Sequence, residues 1–197
     1  MTPFQIRVAA MGLVACLAFP ALAQEGLSEV ITRQYDDGGI YEGTFLDGLQ
    51  HGQGTYRLPN GFEYSGDWSH GQITGTGTAR YPNGSVYTGQ FEDGRPNGEG
   101  RMVFADGSSY EGHWDQGRIM GQGTRRYVTG VVYTGAFDDS QPHGRGVMER
   151  PGGLRYDGEW QHGLREGQGT ITYPDGSVYT GGMHNDQRHG EGRLTRP

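Results

Sequence analysis

Lysine does not occur in this chain, and cysteine occurs once, as Cys16. All side-chain positive charge beyond histidine is therefore arginine. It is outnumbered, 16 against 23 acidic residues, for a net charge of −7. Non-specific binding to nucleic acid or to an anionic bilayer needs positive potential, so this balance argues against both. A single cysteine closes no intrachain disulfide, even in an oxidising compartment. Hydrophobic residues are scarce, at 32% with a mean hydropathy of −0.72. Beyond residue 23 no apolar run is long enough to span a membrane, and no segment shows the 3.6-residue apolar period of a helix. There is also no nucleophile–base pair, metal-ligand cluster or phosphate-binding loop, so an enzyme or a cofactor-dependent protein is not expected.

What the chain has is repetition. Tyr-x-Gly recurs every 23 residues, at Tyr41–Gly43, Tyr64–Gly66, Tyr87–Gly89, Tyr110–Gly112, Tyr133–Gly135, Tyr156–Gly158 and Tyr179–Gly181. Four residues after each tyrosine stands an aromatic ring, in Phe45, Trp68, Phe91, Trp114, Phe137 and Trp160, with Met183 in the seventh copy. A fixed period of this length marks a repeat array. So much glycine in so polar a chain suggests disorder on composition alone. Yet 32 of the 38 glycines fall at offsets +2, +7, +11, +13 and +20 from the tyrosines. Glycine held in register marks fixed backbone geometry, and the chain is read as ordered.

Within one unit, Tyr64, Gly66 and Trp68 share one face of an extended segment, with polar Ser65 and Asp67 on the other. A loop is expected over residues 69–74, then a second extended segment through Thr78-Ala79-Arg80-Tyr81. Pro82-Asn83-Gly84 suits a three-residue hairpin loop, with proline fixing φ and glycine taking the left-handed position. Each repeat is thus a β-hairpin. The predicted fold is all-β, an elongated single-layer antiparallel meander of tandem hairpins with about fifteen short strands. Gly at +2, +11 and +13 is expected to let the rings lie on bare backbone, where each buries roughly 150–250 Å². Strands of about 5–7 residues disfavour an outer-membrane barrel, which needs roughly 9–11.

Residues 1–23 lie outside the array. Arg7 precedes an apolar stretch, and Ala21-Leu22-Ala23 has the small-x-small pattern of a signal-peptidase site, so export to the periplasm or beyond is expected. Leu13-Val14-Ala15-Cys16 also resembles a lipobox, which would leave a lipidated Cys16. Against it, the apolar run continues past the cysteine. The organisation read here is a signal peptide over 1–23 and an N-terminal segment with a half-repeat strand over 24–40. Seven repeats follow, at 41–63, 64–86, 87–109, 110–132, 133–155, 156–178 and 179–197.

The pattern Tyr-x-Gly-x-(Phe/Trp)-x-x-Gly-x-x-x-Gly-x-Gly, clean in residues 41–54, resembles the MORN repeat (membrane occupation and recognition nexus). Ser140 in the fifth unit and Met183 and Asp186 in the seventh depart from it. The resemblance implies an elongated β-sheet module that serves as a scaffold for protein partners, and it supplies no catalytic residue.

Three groups of side chains are candidates for more than structure. Arg57, Arg80 and Arg126 share offset +16, as a row for an anionic partner or as the polar cover of a sheet face. Acidic residues gather at Asp47, Glu92-Asp93, Asp115 and Asp138-Asp139 without a calcium-loop spacing, and read as solvated loops. His51, His143 and His189 share offset +10, and His70 and His162 share +6. Same-column residues lie whole repeats apart, leaving His184 and His189 as the one pair conceivable for a metal; solvated loops are again the reading, with no metal expected. The expected function is a non-catalytic exported scaffold for another envelope protein. The alternative is attachment to the membrane or envelope surface through anionic lipid headgroups or glycan. Nucleic acid is not an expected partner, and an edge- or face-mediated dimer is left open.

Overall fold

The computed structural model describes residues 29–197. The expectations placed on residues 1–23 and on Cys16 lie outside that range. Strands alternate between short and long after the first: β1 (Ile31–Gln34), β2 (Ile40–Leu46), β3 (Leu49–Arg57), β4 (Glu63–Ser69), β5 (Gln72–Arg80), β6 (Val86–Glu92), β7 (Arg95–Val103) and β8 (Ser109–Asp115). They continue as β9 (Arg118–Arg126), β10 (Val132–Asp138), β11 (Gln141–Glu149), β12 (Arg155–Gln161), β13 (Leu164–Thr172), β14 (Val178–His184) and β15 (Gln187–Thr195). All fifteen form one sheet in chain order, each antiparallel to its neighbours, with β1 and β15 at opposite edges. No helix occurs among the described residues. This is the all-β, single-layer meander that the repeat implies.

Two turn types alternate, and one of them differs from expectation. At Pro82-Asn83-Gly84, Tyr81 N–H donates to Ser85 O and Gly84 N–H to Tyr81 O, both near 2.9 Å, closing the predicted three-residue loop. Gly84 takes φ 89°, as the left-handed position requires. The other turn is not a six-residue loop over 69–74. Only His70 and Gly71 separate β4 from β5, with φ 47° and 82°. Two consecutive left-handed residues make the tight primed turn that suits strand twist.

Of the residues assigned to a loop, Ser69 ends the short strand and 72–74 extend the long one. Register runs from Gly66↔Gly77 to Trp68↔Ile73, so three residues of β5 lie opposite Asp67 alone, two more than regular pairing would place there. This bulge makes the long strands nine residues against seven in the short ones. Strand length therefore does not separate the array from a membrane barrel. Strand order does, because β1 and β15 are not paired.

The core is a ladder of rings on one face. The tyrosines from Tyr41 to Tyr156 that start the repeats are 0–1% exposed. Each lies over two glycines: a Cβ on Gly100, as on the +13 glycine of every repeat, would collide with the tyrosine ring, and a Cβ on Gly89 would meet the Gly100 backbone and the Tyr87 hydroxyl. Each phenol donates to the carbonyl three residues on, as in Tyr87 Oη to Gln90 O at 2.9 Å and Tyr64 Oη to Asp67 O at 3.1 Å. The +11 glycines differ from expectation, since they sit in the bulge rather than beneath a ring. Gly75 takes φ 59°, and its Cβ would meet Asp67 on the opposite face.

Between successive tyrosines stands the ring from offset +4. Trp114 meets Tyr87 and Tyr110 edge-on, with centroids 5.2 and 5.4 Å apart, and Phe91 meets Tyr64 and Tyr87 at 5.0 Å each. Such near-perpendicular pairs add about 0.5–1.5 kcal/mol beyond area burial. Trp68, Trp114 and Trp160 also donate Nε1 to Gly54, Gly100 and Gly146 carbonyls at 3.1–3.2 Å. The ladder thus runs unbroken through six repeats, and Met183 takes the place of a ring in the seventh.

Candidate functional site

With the rings consumed in their own ladder, the other face of the sheet carries the polar groups. One row crosses the strands at offsets +1 and +14, where the register aligns Thr55 with Ser65, Thr78 with Thr88, Arg101 with Glu111, and Thr124 with Thr134. Hydroxyls bond across strands at Thr55–Ser65 (3.0 Å), Thr78–Thr88 (3.1 Å), Thr124–Thr134 (3.1 Å) and Thr170–Thr180 (3.3 Å). A second row, at offset +3, secures the bulges. Asp67 Oδ2 accepts from Thr76 N–H at 2.6 Å, and Gln90 Oε1 from Glu99 N–H at 2.8 Å.

The candidate arginines stand on this face but not as one cluster. Arg57 Nε meets Glu63 at 2.9 Å and Arg80 Nε meets the same carboxylate at 4.0 Å, so these two are brought together by Glu63. Arg126 lies four strands from Arg80, roughly 19 Å at the usual strand spacing. It is exposed and forms no ion pair among the described residues. It edges a hollow of about 440 Å³ lined also by Glu99, Arg101, Ser109, Glu111, Gly112 and Thr124. A hollow of about 420 Å³ lies two repeats on, with Arg145, Arg155, Asp157 and Thr170 in its wall. Gly112 lines the first and Gly158 and Gly169 the second, so main chain contributes to both hollows.

Sequence reasoning missed two arrangements. Arg125 stands on the ring face in a column otherwise filled by residues such as Tyr56, Ala79 and Ile171. Its guanidinium fits because it lies 5.0 Å from the Phe104 centroid and 5.1 Å from that of Tyr127. The histidines also pair, and across columns rather than within them. His51 faces His70 at a centroid distance of 5.1 Å and His143 faces His162 at 5.5 Å, alongside His184–His189 at 5.4 Å. The expectation that only His184 and His189 approach one another is therefore corrected. The tight turn of one repeat folds against the long strand of the repeat before it, a register that column counting does not reveal. No group of three or more His, Cys, Asp or Glu is placed to hold a metal among the described residues.

Electrostatic perturbation falls mainly on the core, not on a catalytic cleft. Burial pushes the phenols of Tyr41, Tyr110 and Tyr156 up to about 12 and raises those of Tyr64, Tyr87 and Tyr133 as well. At the surface, hydrogen bonds from His184 and the Asn185 amide hold the Glu166 carboxyl below its ordinary value.

A long, open, one-layer sheet of repeated hairpins defines an elongated repeat module whose surface, rather than a pocket, is its feature. The family model for the MORN repeat matches residues 41–62, 64–86, 87–109, 110–132, 133–155, 156–178 and 179–197, and the chain belongs to that family. Among curated proteins, alsin of Rattus norvegicus is 41% identical over 49 residues, a match covering 22% of this chain and only 3% of that protein. Among solved structures, the TCP10 domain of Danio rerio CPAP, in complex with a peptide of Danio rerio STIL, superposes with a TM-score of 0.50 at 16% identity. It covers 84% of this chain and 73% of that one, and shares the fold. The TCP domain of Drosophila melanogaster SAS-4, in complex with a proline-rich motif of Ana2, follows at 0.47 and 12% identity, covering 93% and 99%.

Proposed function

We infer that this chain is a non-catalytic binding scaffold, exported to the cell envelope, whose polar face receives an extended segment of a protein partner. One observation carries the reading. The ladder rings from Tyr64 to Trp160 are buried, with half-buried rings such as Tyr81 and Tyr127 packed against them, while the opposite face keeps polar hollows edged by Arg101, Arg126, Arg145 and Arg155. Arginine forks, hydroxyls and exposed backbone suit a peptide carrying carboxylates. Further support comes from the sheet of similar fold that is solved with a peptide bound. Elongated repeat arrays commonly work through such extended surfaces.

The test is capture from an envelope extract by the wild-type chain and by an Arg101→Glu/Arg126→Glu variant. A protein retained by the first and lost from the second is the expected result. Equal retention by both, or no retained protein, overturns the reading. Flotation of the chain with anionic vesicles at physiological salt would favour surface attachment instead.

A further inference from the structure

Six of the seven histidines stand in pairs, and two of the pairs are the same site built twice. His51 and His143 occupy the tenth position after the tyrosine of one repeat, while His70 and His162 occupy the sixth position of the next. The fold fixes their approach. The turn holding His70 is tacked to the preceding strand by Gly71 N–H donating to Gln50 O at 2.9 Å, and Gly163 N–H does the same to Pro142 O at 2.9 Å. In two other copies the residue at the tenth position caps the turn amide through a side-chain oxygen. Asn97 Oδ1 accepts from Gln116 N–H at 3.2 Å, and Glu166 Oε2 from Asn185 N–H at 3.0 Å. In both histidine copies that arrangement is absent, and Nδ1 of His51 and of His143 is buried with no hydrogen-bond partner.

The ring spacing admits two ligands on one ion, and is equally that of the edge-on ring pairs in the core. With metal–nitrogen bonds of roughly 2.0–2.1 Å and a ring nitrogen about 1.2 Å from its centre, tetrahedral ligation sets ring centres about 5.2 Å apart. The observed values are 5.1 and 5.5 Å. Ser69 Oγ lies 3.0 Å from His70 Nδ1, the outer hydrogen bond that orients a ligating imidazole and leaves its Nε2 available. The third pair is different, because both nitrogens of His184 are engaged, Nδ1 with Glu166 at 2.8 Å and Nε2 with Asn185 at 3.0 Å.

The geometry points to two corresponding two-histidine sites for a divalent transition cation of the zinc, nickel and copper class, one at His51/His70 and one, without a counterpart of the Ser69 hydrogen bond, at His143/His162. Each supplies two imidazoles and leaves the remaining coordination positions to water or to a side chain from another molecule. Imidazole selects these ions over magnesium or calcium. The sites are independent of the partner-binding reading.

Calorimetric titration of the full chain, without a histidine tag, with zinc chloride tests this. Two equivalents are expected. His70→Asn removes one equivalent, His162→Asn removes the other, and the double variant binds none. Asparagine tolerates the left-handed turn position, and matching circular-dichroism melts establish that the variants fold. His184→Asn keeps both equivalents. Imidazole resonances of the four named histidines, followed by NMR, give a second readout that moves only on binding. No saturable binding by the parent at about a tenfold excess of zinc overturns the inference. So does undiminished binding by the double variant.

Discussion

Removing one rung should weaken the ladder far more than removing any surface contact. Trp114 is 4% exposed, meets two tyrosine rings edge-on and donates Nε1 to Gly100 O at 3.2 Å. Trp114→Ala leaves a ring-sized gap between Tyr87 and Tyr110 that a one-layer sheet has no second layer to fill. The loss is about 3–5 kcal/mol, the range for deleting a buried large aromatic. Trp114→Phe is the sharper half of the experiment. Phe91 and Phe137 fill the same place in the adjacent repeats, with centroids 5.0–5.1 Å from their tyrosines. That variant therefore gives up one hydrogen bond and some volume, about 1–2 kcal/mol. Urea unfolding followed by far-UV circular dichroism measures both, and hydrogen exchange at the amides of β6 to β9 shows whether the damage is local. An alanine variant within about 1 kcal/mol of the parent would refute the ladder as the main source of stability. A phenylalanine variant as damaged as the alanine one would refute the role of ring edges.

Four further outcomes follow from the same geometry. Gly100→Val, which drives a branched side chain into the Tyr87 ring, should cost at least about 1–3 kcal/mol, whereas Arg101→Val on the opposite face leaves the melt nearly unchanged. Asp67→Ala strips the acceptor from the Thr76 amide in the bulge and should cost about 1–2 kcal/mol by the same denaturation assay. Arg57→Ala breaks exposed ion pairs and should change stability by no more than about 1 kcal/mol. Alkali should unfold the array. The unfolded tyrosines ionise near their ordinary value of 10.0, while Tyr41, Tyr110 and Tyr156 keep their protons to about 12 when folded. Their contribution is complete below pH 10 and is lost as pH rises through about 12, since the folded state then holds protons that the unfolded state has shed. Phenolate absorbance rising together with loss of the sheet signal checks this.

The sequence made the sheet legible because tyrosine and glycine sit in fixed phase. Gly at +2 and +13 lies where a ring needs bare backbone, and the alternation of Ser65 and Asp67 with Tyr64 and Trp68 gives the two faces. What it hid were features set by backbone sign and by register. His70-Gly71 resembles any polar loop until both residues are known to be left-handed, so the tight turn and the longer strand after it were not visible. Without that turn length the cross-repeat register is unknown, and the histidine pairs cannot be found by counting columns. The candidate arginines were legible as one column, but β6 to β8 intervene between Arg80 and Arg126, and Glu63 joins only Arg57 to Arg80. Arg125 was hidden for another reason, as a charged residue in an apolar column is accommodated only by the faces of Phe104 and Tyr127. Departures from the repeat carry local compensation: Ser140 Oγ accepts from Ile119 N–H at 3.3 Å, and Asp186 Oδ1 accepts from Arg165 N–H at 3.0 Å.

The most direct test of the scaffold account is site-specific photo-crosslinking in intact cells. A photoreactive residue is placed singly at Thr78, Thr124 and Thr170 on the polar face, and at Asp47 and Asn185 in the tight turns. The account predicts adducts with one protein species from the polar-face positions and none from the turns. Adducts only with lipid or glycan, or protein adducts from the turns alone, would contradict it.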